Sequence, residues 1–214
     1  MLSHTLLRNH AGLMLIGDYT SLQWLHEVLH DINERSPLVK NKEGLFLGLA
    51  YDARKAFEGQ RETIRPPKYF KEVGVRYGVQ ILWPVLLLQQ RTMRASLAFM
   101  DHSRKHQAIT YALEAVIEEG LRDDFGAQGT EAIERWQRLN PAHPEVFEKL
   151  DSRGALFCSW TKMQRQKGFL ALLGSFDPMF ESLYPLHVRN GDKPLLSPMD
   201  FEAWQNTEWP DPKW

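Results

Sequence analysis

Val73-Gly-Val-Arg-Tyr-Gly-Val-Gln-Ile81 decides the fold class. Val73, Val75, Tyr77, Val79 and Ile81 alternate with Gly74, Arg76, Gly78 and Gln80, and a period of two puts all five large residues on one face of a β-strand. Leu82-Trp83-Pro84 follows at once. Pro84 suits the first turn of a helix, where a missing N–H costs nothing, so Pro84–Met100 reads as a largely buried helix. Upstream, His10–Tyr19 is an apolar strand ended by Gly17 and Asp18. Thr20–Arg35 then gathers Leu22, Leu25, Val28, Leu29 and Ile32 on one helical side, with Thr20 or Ser21 as its cap. Glu43–Glu62 gives a second helix, which Gly59 closes.

Downstream the pattern is helical: 103–126, 130–139, a short 144–150, and one helix over 153–174. After Tyr184 the composition shifts to Pro, Asp and Asn. The expected architecture is α+β: a small, mostly antiparallel N-terminal sheet with flanking helices and a helical C-terminal half. Residues 1–184 form one domain and 185–214 an extended tail. Trp204, Trp209 and Trp214 stand in that tail among Pro210 and Pro212. Aromatics of that size are costly in water, so the tail packs on its own domain or on a protein partner, a second copy included.

The chain has 214 residues, 43% hydrophobic and 25% charged, with a net charge of −1. It lacks the positive excess that nonspecific nucleic-acid binding needs. The one basic stretch, Lys162, Arg165 and Lys167 beside Trp160 and Phe169, reads as a solvated basic edge over buried aromatics. The longest apolar run, Ile81–Leu88, is broken by Pro84 and falls short of the ~20 residues that cross a bilayer. No nucleic-acid or membrane partner is expected. The single cysteine, Cys158, lies in an apolar stretch and reads as core. A cytoplasmic location follows as the expectation.

His26-Glu27-x-x-His30 has the spacing of many zinc hydrolases. Two histidines four apart on a helix chelate a metal from one face, and the intervening carboxylate serves as general base. Glu34 continues the row, and Glu58 or Glu62 stands on the next helix. Against this, Asp31 places a charge after the second histidine, Asn33 and Ser36 occupy the positions of the longer motif, and only one strand fits before the helix. A salt-laced face with Glu27, Asp31, Glu34 and Arg35 explains the same residues, with both imidazoles facing bulk water. The reading is therefore no cofactor and no catalytic residue. The alternative is a zinc-dependent hydrolase with His26, His30 and Glu34 as ligands and Glu27 as base. His102 and His106 read as solvated surface.

Tyr51-Asp52-x-Arg54-x-Ala56-x-x-Gly59-x-Arg61-Glu62 resembles a motif of a family of uncharacterised bacterial proteins of about this length. The resemblance extends to Gly17-Asp18-Tyr19 and to Leu82-Trp83-Pro84, covering the N-terminal half. It implies no established activity, and other residues standing at the positions of His26 and His30 in that family would weaken the metal reading. The candidate binding set is Asp18, Tyr19, Tyr51, Arg54, Arg61 and Glu62. Arg54 and Glu58 stand one helical turn apart, and Arg61 and Glu62 are expected to meet Asp18 and Tyr19. An ion-pair network and a ligand site both remain open for that cluster. The functional expectation is a non-enzymatic protein acting through protein contacts.

Overall fold

The computed structural model describes residues 1–69, 74–143, 145–192 and 194–213. Strands β1 (Ser3–Leu6), β2 (Gly12–Gly17), β3 (Glu62–Ile64) and β4 (Arg76–Leu82) form one antiparallel sheet in the order β1-β2-β4-β3. Leu13 lies opposite Ile81 and Leu15 opposite Val79. All four are buried, so the alternation sends one face of the central pair into the core.

Helices α1 (Tyr19–Arg35) and α2 (Leu45–Phe57) pack on each other, and α2 also packs on β4. The rest is helical: α3 (Trp83–Ser96), α4 (Arg104–Phe125), α5 (Ala127–Arg138), α6 (Glu145–Ser159), α7 (Lys162–Gly174), α8 (Phe180–Arg189) and the short α9 (Met199–Glu202). The α+β class holds. Pro84 stands in the first turn of α3, as expected. Leu22, Leu25, Val28, Leu29 and Ile32 of α1 are all buried.

The boundaries differ instructively. Val73 lies outside the described residues, and Val75 is exposed ahead of β4. Two strands, not one, precede α1, because the four-residue edge strand β1 is too short to show a period. The cap of α1 is Asp18, whose carboxylate accepts from the Ser21 amide at 2.8 Å, not Thr20 or Ser21. The expected helix over 153–174 is two. Thr161 and Gln164 form a capping box that starts α7, and the residues before Trp160 belong to α6. Past Tyr184 the backbone stays helical to Arg189 and turns again in α9, so the segment after 184 is only partly extended.

Candidate functional site

Every expected site residue except Glu62 lies on or beside the α1–α2 pair, but the residues divide into separate groups. Arg61 meets Asp52 at 3.0 Å rather than Asp18. Arg54 stacks over the Tyr51 ring at 5.3 Å and reaches Glu58 at 3.9 Å. Asp18 is occupied by Ser21 and the Met1 ammonium. Burial pushes its carboxyl up, yet hydrogen bonds from that ammonium and from the Ser21 amide and hydroxyl outweigh this and hold it at about 2. Tyr19 meets Phe57 edge-on at 5.2 Å. Glu62 stands on β3 opposite Gly78. The arginines and the Asp18 cluster thus do not converge.

His26 and His30 do not face bulk water. Both are half-buried in the α1–α2 seam, with ring centroids 4.4 Å apart. His26 donates from Nδ1 to the Ala50 carbonyl at 3.0 Å and lies against Phe57, while His30 lies edge-on to Tyr51. The cause is the small residue on α2: Ala50 lets the helices approach until the imidazoles fill the space between them. Burial, then His26 and Arg54, lower the His30 pKa, against a raising effect of Glu34. Glu27 pairs with Lys105, and Asp31 with Arg35 and His106. The salt-laced face is therefore real for Glu27 and Asp31 but not for the histidines. His106, expected in solvent, is only 13% exposed and bridges Asp31 to the α4 cap residue Ser103. Among the described residues, no group of three or more histidine, cysteine or acidic side chains is placed to hold a metal.

Two features had no signal in the sequence. His10 donates from Nδ1 to Asp124 at 2.8 Å, and Trp83 donates to the other oxygen of the same carboxylate at 2.8 Å. Asn9 and His10 both have positive φ, a strained turn that these side-chain bonds hold. The second is Arg165, read as part of a basic edge. Lys162 and Lys167 are exposed, but Arg165 is 0% exposed. Its guanidinium donates to the carbonyls of Phe157 (3.1 Å), Cys158 (3.1 Å), Asn9 (3.3 Å) and Pro212. Burial lowers its pKa. The flanking aromatics Trp160 and Phe169 are buried as expected.

Those bonds bring the chain's end onto the domain. Trp209 donates to Asp151 at 2.9 Å and lies over Gly154, Asn9 donates to the Lys213 carbonyl, and Phe201 is buried under Arg153 at 4.0 Å. The described tail aromatics pack on their own domain. Trp214 lies outside the described residues.

What stays uncovered is α8. None of its residues is buried. Phe180, Tyr184 and His187 line a groove of about 550 Å³ with Leu195 and Leu196. Met179, just ahead of the helix, Leu183 and Leu186 recur at i, i+4 and i+7 and are 54%, 39% and 51% exposed, with Leu183 also lining the groove.

The model of one protein family, a domain of unknown function (DUF6904), matches residues 2–183. The chain belongs to this DUF6904 family. No curated protein and no solved structure matches it. The DUF6904 span contains the sheet, the α1–α2 seam and both buried arginines, Arg153 and Arg165. It ends inside α8, just before the segment that crosses back over Arg153, Gly154 and Arg165. No helix among the described residues is long and apolar enough to cross a membrane.

Proposed function

We propose that the chain is a non-enzymatic, cytoplasmic protein that acts through protein contact, without a metal cofactor, and that its contact surface is the exposed apolar row at α8. The observation that carries this reading is a helix with no buried residue, interrupted by Pro185, that leaves an apolar row in water. Contiguous exposed apolar surface of this kind marks association sites. Of the tail tryptophans, the other candidate, Trp209 is spent on Asp151 and Gly154. The buried thiol of Cys158, which burial pushes up to about 11, suits a reducing compartment.

The occupant proposed is a second copy of the chain. An antiparallel pairing of two α8 helices sets Leu183 against Leu186 of the second copy, and the twofold axis repeats that contact. Sedimentation velocity of the full chain at roughly 100 µM is the test. A dimer that Leu183→Glu and Leu186→Glu each convert to monomer supports the reading. A wild-type monomer, or a dimer indifferent to both changes, refutes it.

A further inference from the structure

A second cavity, of about 550 Å³, lies on another part of the molecule. Its walls come from three places far apart in sequence: the α1–α2 connection and first turn of α2 (Leu38 to Phe46), the turn at His143, and α6 with Trp209 of the tail. The size falls within the range of about 300–1,000 Å³ typical of small-molecule sites.

The lining has a definite chemical character. Phe46, Phe147 and Trp209 contribute three aromatic rings. Glu148 and Asp151 stand three apart on α6 and present carboxylates to the same space. Asp151 spends its two oxygens on neutral donors, the Trp209 indole at 2.9 Å and the Asn206 amide at 3.1 Å, so these contacts leave its charge uncompensated. Neighbouring lysines turn elsewhere: Lys149 towards Glu145 and Glu181, Lys42 to the carbonyls of Asn33 and Ser36. Among the described residues, the exposed Lys40 is the one lining lysine or arginine. His143 adds a buried Nδ1 with no hydrogen-bond partner among the described residues. A buried polar atom of that kind is costly unless something supplies the missing bond.

Carboxylates and aromatic faces attract the same partner, a cation carrying an apolar body. We propose that this cavity binds a small free organic cation of the aralkylamine class. The ammonium sits between Glu148 and Asp151, one of its N–H groups reaches His143 Nδ1, and the ring lies among Phe46, Phe147 and Trp209.

The test is isothermal titration of the full chain with phenethylamine, with phenylacetate as a probe of similar size and opposite charge. Nα-acetyl-lysine amide represents the same cation on a peptide. Phenethylamine is expected to bind saturably, at least tenfold tighter than either of the other two. Glu148→Gln is the informative variant because Glu148 is exposed and Asp151, unlike it, also anchors the tail. It should weaken phenethylamine at least fivefold, and His143→Ala should weaken it while thermal stability is retained. Absence of saturable phenethylamine binding, equal or tighter binding of phenylacetate, or an unchanged affinity in Glu148→Gln would overturn the site. Tighter binding of the lysine amide would overturn its assignment to a free small molecule.

Discussion

Trp209 lies where a side chain on Gly154 would be: a Cβ built there falls 2.0 Å from the indole Cη2 and 2.4 Å from Cζ2. Gly154 is in the interior of α6, where glycine is less favourable than alanine by about 1 kcal/mol. Its absent side chain is the slot that receives the tail.

The sign of one substitution therefore depends on the other residue. Gly154→Ala should destabilise the chain, because the indole must leave its slot and its bond to Asp151. In a Trp209→Ala background the same change should stabilise it by about 1 kcal/mol, the helix preference alone. Urea denaturation of the four proteins in this cycle measures the coupling. Equal effects of Gly154→Ala in both backgrounds would show that the indole does not occupy the slot.

Arg165 ties the same tail from the other side. Its planar guanidinium serves carbonyls from α6, from Asn9 and from Pro212 at once, which a lysine ammonium cannot reproduce. Arg165→Lys keeps the charge in a buried place and strands several carbonyls, so a loss of about 3 kcal/mol is expected. The residues beyond 204 should become sensitive to limited proteolysis. Retained stability with a protected tail would contradict this role.

Cys158 packs against that arginine's anchorage. It is 2% exposed, and burial raises the thiol to about 11, Asp211 adding to the rise and Arg165 opposing it. A protonated, covered thiol is a poor nucleophile. The folded chain should react with a disulfide reagent at least a hundredfold more slowly than the urea-unfolded chain at pH 8. Comparable rates would place the thiol at the surface.

These contacts also mark where the sequence stops being informative. The period of two around β4 and the apolar row of α1 were legible because local spacing alone decides which side is buried. The capping box at Thr161 was written in the sequence too, yet the apolar run over 153–174 masked it. Arg165 was not legible. A cation between Lys162 and Lys167 reads as solvated, and it is buried only because carbonyls from positions 9, 157, 158 and 212 meet there. His10 and Asp124 are likewise 114 residues apart, with no local trace of their bond. For His26 and His30, spacing placed them on the flank of α1. What covers that flank is Ala50 and Phe57 of α2, a matter of how two helices pack.

That packing gives the α1–α2 seam a pH dependence with a definite sign. The seam lowers the His30 pKa, by burial first, then by His26 and Arg54, with Glu34 opposing. In the unfolded chain the imidazole titrates near its ordinary value of about 6.5. Above that pH both states hold His30 neutral, and it adds no pH dependence. Between the ordinary value and the lowered folded one, the unfolded chain binds a proton that the folded chain does not, so stability falls as pH falls through this window. Below the folded value the loss levels off. Urea titrations between pH 5 and 7.5 should show stability dropping on acidification, and His30→Gln should reduce that drop while leaving the neutral-pH side of the curve parallel to wild type. Other groups titrate in the same range, so the difference between the two curves carries the test. Identical slopes would mean that His30 is as free to take a proton in the folded chain as in the unfolded one, and that the imidazole is not held in the seam.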